Sequence, residues 1–165
     1  MCIRDRSIKA DIRITNDATL REYRYLFTNN DDLNAFQLDF MPNISYELDF
    51  EKMREALKLF VGKHDFKDFH TKGSEPKTTV RQIYEVDLRF VQTNTHGIFP
   101  DHYCISIKGE GFLKQMVRLI VGTIWKVGRG KLTCDEVSSA LNSPEGRHLA
   151  SVAPASGLYK FKVTY

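Results

Sequence analysis

The order of hydrophobic periods along this chain predicts an α+β fold, an antiparallel sheet packed on helices. Three observations carry that prediction. Runs of period two occur early, in the middle and at the end of the chain, as half-buried strands require. Runs of helical period, with their own start signals, lie between them. One apolar stretch, GEGFLKQMVRLIVGTIWKV at 109–127, is broad enough in its apolar face to be the helix on which a sheet packs.

In chain order, Ala10 to Thr15 alternate with Ile12 and Ile14 on one side, and Asn16 and Asp17 break the run. Leu20 to Thr28 form a second strand. Arg21, Tyr23, Tyr25 and Phe27 share one face, and Glu22, Arg24 and Leu26 the other. The segment from Asn29 to Ser45 carries no readable period. Asp49 is placed to cap a helix, with Glu51 in its first turn. Phe50, Met53, Ala56, Leu57, Phe60 and Val61 follow helical spacing, and Gly62 closes it. Phe66 and Phe69 in KHDFKDFH read as core plugs, and 70–79 as a polar loop holding Lys72 and Lys77.

Val80 to Phe90 is the clearest strand, with Val80, Gln82, Tyr84, Val86, Leu88 and Phe90 predicted on one face. Asn94 to Gly97 turn the chain, and Tyr103, Ile105 and Ile107 mark the returning strand. The spine helix is predicted over Gly109 to Val127. Phe112, Leu113, Met116, Val117, Ile120, Val121, Ile124 and Val127 lie on one face, and Lys114, Arg118 and Gly122 stack along its edge. A guanidinium beside a residue with no side chain admits a close backbone or a partner. By spacing alone, Arg118 is also an ordinary surface charge at an apolar border. Thr133 and Glu136 make a capping box, with Leu132 and Val137 as its staple, for a short helix ending near Ser143 and Pro144. Leu158 to Tyr165 is the last strand.

Length and composition bound the function. A chain of 165 residues is one domain with a real core. A net charge of +3 gives only weak support for a polyanion partner. Cys2, Cys104 and Cys134 show no CxxC spacing, which fits a reducing compartment. Lys114 and Arg118 interrupt the longest apolar run, so it is not a membrane span. The opening MCIRDR joins no pattern and reads as a scar of cloning or gene calling. Residues 1–9 are set aside as a non-native or disordered N-terminus, leaving 10–165 as the folded portion.

Few chemistries fit the residues. His64, Asp65, His70 and His102 lack metal-ligand spacing, so no metal is expected. Cys104 and Cys134 have no base placed near them by sequence. GRGK at 128–131 lacks the rest of a P-loop and reads as the turn after the spine helix. An RNA ligand fits better. Arg21, Arg24, Lys72, Lys77, Arg81, Lys114 and Arg118 are available to phosphates, and Tyr23, Tyr25 and Phe27 offer flat faces to an unpaired base. The same aromatics at period two are equally a sheet's core face, and the same cations a solvated surface.

Four stretches, in order, resemble TruA-type tRNA pseudouridine synthases: DATLREYRYLFTN at 17–29; FVGKHDFKDFHTKG running on to KTTVRQIYEV; GEGFLKQMVRLIVGTIWKVGRGK; and LASVAPASGLYKFKVTY at the C-terminus. The FL-x-QMVR-x-IVG and APA-x-GLY patterns are the specific ones. The resemblance implies a pseudouridine synthase-like fold, isomerisation of uridines in the tRNA anticodon stem-loop, no cofactor and no metal. It implies a cytoplasmic homodimer with its cleft between two α+β halves. Tyr23 is then the tyrosine packed on the target base. Arg118 is the arginine paired with the catalytic aspartate, and Gly122 keeps that approach open. Lys77, Arg81 and Lys114 are then candidates for RNA backbone contacts. The aspartate of the family's R-T-D-x-G-V-H motif has no counterpart here, since neither Asp11 nor Asp17 has such neighbours. The expectation is therefore the C-terminal portion of a catalytic domain, inactive alone because it lacks the nucleophile. The alternative is a non-catalytic RNA-binding α+β domain.

Overall fold

The computed structural model describes residues 18–29, 35–71, 73, 76–93 and 100–165. The expected strand at Ala10–Thr15 and the turn at Asn94–Gly97 lie outside the described residues, as do residues 1–9. Within them the fold is α+β: a five-stranded antiparallel sheet with its helices packed on the core.

The strands are β1 (Leu20–Phe27), β2 (Gly62–Asp65), β3 (Val80–Val91), β4 (His102–Gly109) and β5 (Leu158–Thr164). Their order across the sheet is β2-β3-β4-β1-β5. The central register sets Tyr25 opposite Ile105 and Phe27 opposite Tyr103, with Leu88 on the far side of Ile105. Tyr25, Phe27, Ile105, Ile107 and Ile83 are fully buried and form one core with the helices. The rings of Tyr25 and Phe27 both meet Trp125 edge-on, at 5.6 and 5.5 Å.

The helices are α1 (Ala35–Leu38), α2 (Phe50–Lys58), α3 (Met116–Gly128) and α4 (Cys134–Asn142). Asp49 caps α2 by accepting from the Lys52 amide. Thr133 and Glu136 close a reciprocal capping box on α4. Both act as predicted, because a cap needs only residues within one turn.

The spine helix is shorter than its periodicity predicts. Residue 109 is still in β4, and a Cβ there would lie 2.6 Å from the Gln82 carbonyl oxygen, which explains the glycine. Residues 110–115 are a loop, and Gln115 turns in the left-handed region at φ 59° before α3 begins. Phe112 and Leu113 reach the same core from this loop, so their spacing imitates two more helical turns. Lys114 therefore does not stack on Arg118. Within α3, eleven of thirteen residues are buried, leaving Arg118 and Lys126.

Three further points go beyond or against the sequence reading. Phe66 and Phe69 are fully buried as predicted, and the residues just before them, which the sequence assigned to no element, form edge strand β2. Its partner is β3. Helix α2 ends at Lys58, so Val61 falls beyond it and is 41% exposed. In β3 a register shift between Ile83 and Glu85 switches the alternation. Ile83 and Leu88, five residues apart, are both buried, while Tyr84 and Phe90 are each 51% exposed.

Candidate active site

Arg118 lies in the first turn of α3 and is half-buried. A cation there opposes the helix dipole, so an acid partner or fixed acceptors are needed to hold it. Its Nε donates to the Ala153 carbonyl at 2.6 Å, and the Ala153 amide donates back to the Arg118 carbonyl at 3.2 Å. Among the described residues no carboxylate pairs with it. The outer nitrogens of the guanidinium are thus left for an anion that approaches in the plane of the fork.

The segment that receives Arg118 is fixed from two sides. One helical turn beyond Arg118, a Cβ on Gly122 would collide with the Ser151 carbonyl oxygen. The expected close approach at Gly122 is real, but this chain's own backbone fills it, so Gly122 does not hold the space open for an acid. On the sheet side, the Tyr25 hydroxyl donates to the Pro154 carbonyl at 2.8 Å. Burial holds the Tyr25 phenol far above its usual range, with the nearby Arg118 charge opposing.

Tyr23 is half-buried on β1, between Ile107 and Lys160. Its ring meets Phe112 edge-on at 5.0 Å, which ties it to the loop leading into α3. Among the described residues no hydrogen bond joins Tyr23 to Arg118, while the Tyr25 phenol lies within reach of the Arg118 charge. Of the three aromatics expected to offer faces to a base, Tyr25 and Phe27 are sealed in the core. Tyr23 alone keeps an accessible portion.

Two of the expected phosphate contacts converge on the same loop. The Arg81 side chain lies against residue 111 and donates to the Thr78 carbonyl at 2.9 Å. The Lys114 Nζ lies beside Gly73, and the Lys114 carbonyl accepts from the Thr71 amide at 3.2 Å. Lys77 is exposed in the polar loop at 70–79. Arg21 donates to the Glu110 carbonyl, so it braces the loop's start. Arg24 lies over the Phe161 ring and pairs with Glu22 at 2.8 Å, which withdraws it from phosphates.

Ala153 and Pro154 were not singled out by sequence reasoning, and Phe112 was read only as part of the spine's apolar face. The one signal for Ala153 and Pro154 was membership in the APA-x-GLY stretch.

Other chemistries find little support. Among the described residues no group of three or more His, Cys, Asp or Glu is placed to hold a metal ion. His64, His70 and His102 each bond a backbone carbonyl two or three residues away. Burial pushes the Cys104 and Cys134 thiols up, away from the reactive thiolate. Gly130 sits in a turn after α3, its amide bonded to the Val127 carbonyl at 2.9 Å, so GRGK is a helix stop. Among the described residues no helix is long and apolar enough to cross a membrane.

Residues 56–165 match the family model described as tRNA pseudouridine synthase. The chain is 36% identical over 158 residues to tRNA pseudouridine synthase A of Acetivibrio thermocellus, covering 96% of this chain and 62% of that protein. It is 37% identical over 148 residues to tRNA pseudouridine synthase A of Bacillus subtilis, covering 90% and 57%. It is 34% identical over 163 residues to tRNA pseudouridine synthase A 2 of Clostridium perfringens, covering 99% and 64%. The chain thus spans roughly three-fifths of the length of the relatives it matches.

Proposed function

The chain belongs to the tRNA pseudouridine synthase family, and from that premise we propose that it forms the arginine-bearing side of a cleft that isomerises uridine to pseudouridine in the tRNA anticodon stem-loop. The reaction breaks the N1–C1′ glycosidic bond and makes a C5–C1′ bond, while the C5 proton leaves to solvent and N1 gains one. Atoms and electrons balance with no co-substrate. The chemical requirement is an acid kept ionised in a closed site, which a guanidinium meets by pairing with it.

The observation that carries this reading is the state of Arg118: half-buried, tied by one nitrogen to Ala153, and without an acid partner among the described residues. The R-T-D-x-G-V-H aspartate, absent from this sequence, is the partner it suits. Tyr23 then packs against the turning base. Arg81 and Lys114, with Lys77 further along, take backbone phosphates. The working enzyme is a cytoplasmic homodimer, and this chain without the aspartate turns nothing over.

The test uses tRNA carrying tritium at uridine C5, whose release reports the new C–C bond. Label should be released when the aspartate-bearing polypeptide is joined to this chain, and not by the chain alone. Arg118→Ala should stop release; label lost at the normal rate from that variant would sink the assignment. The absent motif also favours a second reading, a non-catalytic RNA-binding domain. Anticodon-arm binding with no label release in the joined polypeptide would select it.

A further inference from the structure

We infer that Tyr25 is a positioning residue for Arg118: its hydroxyl holds Pro154 and thereby fixes the preceding carbonyl, of Ala153, that sets the plane of the guanidinium. The inference rests on the reading of Arg118 given above, and it concerns what aims that side chain.

Tyr25 has little freedom. It is fully buried on β1, between Ile105 of β4 and Leu158 of β5. Trp125 meets its ring edge-on at 5.6 Å. At Gly157 the backbone passes so near that an added Cβ would lie 2.8 Å from the Tyr25 ring carbons. A ring clamped on these sides delivers its hydroxyl to one place, and there it meets the Pro154 carbonyl at 2.8 Å.

The next link is covalent. Pro154 follows Ala153, whose carbonyl takes the Arg118 Nε at 2.6 Å and whose amide returns a bond to the Arg118 backbone. A guanidinium is a rigid plane, so fixing Nε fixes the direction of its two outer nitrogens. The chain of contacts therefore runs from the sheet core, through one peptide unit, to the orientation of the fork.

The identity of residue 25 supports this. Phe27 lies two residues on, on the same face and equally buried, and needs no hydroxyl. A buried hydroxyl costs desolvation unless it is bonded. Phenylalanine at 25 would fill the same core volume, so the extra oxygen is there for Pro154. With its phenol held far above the usual range by burial, Tyr25 remains a donor throughout neutral pH.

The test reads Arg118 directly. The 165-residue chain is prepared with nitrogen-15 arginine, and hydrogen exchange at the Arg118 Nε–H is followed by NMR. Tyr25→Phe should speed that exchange about five-fold, the equivalent of one modest hydrogen bond, and shift the Nε resonance. Ile105→Val trims a methyl beside the Tyr25 ring and leaves the hydroxyl in place, so it should leave both signals unchanged. Amide spectra of both variants that match the parent outside 118 and 150–158 show that the fold is intact. Unaltered exchange in Tyr25→Phe overturns the inference, and so does equal acceleration in Ile105→Val, which would mean general loosening. Neither readout uses tRNA. A chain that binds no anticodon arm overturns the functional reading and leaves this result standing, whereas a silent Tyr25→Phe spectrum does the reverse.

Discussion

Arg118 and Ala153 are bonded to each other twice, once through the guanidinium Nε and once through the backbone of each. The side-chain bond is the specific one, because a lysine lacks the planar fork. Arg118→Lys keeps the charge and loses the geometry. In a polypeptide that includes the aspartate region, it should lower tritium release at least about a hundred-fold. Near-parental release would mean that charge alone suffices.

Gly122 and Gly130 should respond differently to a methyl group. At Gly122 the added carbon runs into the Ser151 carbonyl, so Gly122→Ala should cost about 1–3 kcal/mol and lower the melting temperature by several degrees. At Gly130 nothing lies within 4 Å, but φ is +67°. Gly130→Asn should therefore be nearly silent by thermal unfolding, with Gly130→Ala about 1 kcal/mol worse. Equal effects at the two glycines would contradict the packing at Ser151.

Asp68 is buried and accepts from the backbone amides of Glu145, Gly146 and Arg147. Asp68→Asn replaces one acceptor oxygen with a donor that faces other donors. The loss should be about 2–3 kcal/mol in denaturant unfolding. Amide exchange at 145–147 should rise first; protection equal to the parent would show that the loop is held elsewhere.

Phosphate contacts have a salt signature. If Arg81 and Lys114 each neutralise one phosphate, Arg81→Ala and Lys114→Ala should each flatten the slope of log affinity against log salt by about 0.7–0.9 for an anticodon arm. Lys77→Ala, which removes an exposed lysine, is expected to change the slope least. A parallel plot for Arg81→Ala, with the full parental slope, removes that residue from the interface.

Acid should weaken two helix starts. Hydrogen bonds from Thr133 hold the Glu136 carboxyl below its ordinary 4.5. Bonds from Lys52 do the same for Asp49, below 3.8. A depressed folded value means that the cap's contribution is complete above the unfolded value and fades as pH falls through the folded one. Melting temperature should be flat from neutrality to about pH 5 and decline below pH 4. Glu136→Gln, which cannot titrate, should differ from the parent at pH 7 and approach it at pH 3. A constant difference across that range would rule out the carboxylate as the source.

What the sequence makes legible follows the range of each interaction. Asp49, Thr133 and Glu136 act within one helical turn, and all three were readable. The start of α3 was not, because Phe112 and Leu113 enter the core from a loop at helix-like spacing. The face of β3 was misread up to Tyr84, since a single irregular residue reverses parity without leaving a compositional mark. For the proposed site, Arg118 and Tyr23 were assigned their roles through family resemblance. The partners that aim Arg118 were invisible because they are remote in sequence: Ala153 is 35 residues away, and Pro154 is 129 from Tyr25. Nothing local encodes such pairs.

The near-complete burial of α3 affects how saturation mutagenesis of this segment should be interpreted. Almost every substitution between Met116 and Gly128 will be deleterious, most of them by lowering the amount of folded protein in the cell. A fitness map will therefore paint Arg118 and its neighbours one colour. Only normalising activity to abundance, variant by variant, will separate the role proposed for Arg118 from a background of steric intolerance.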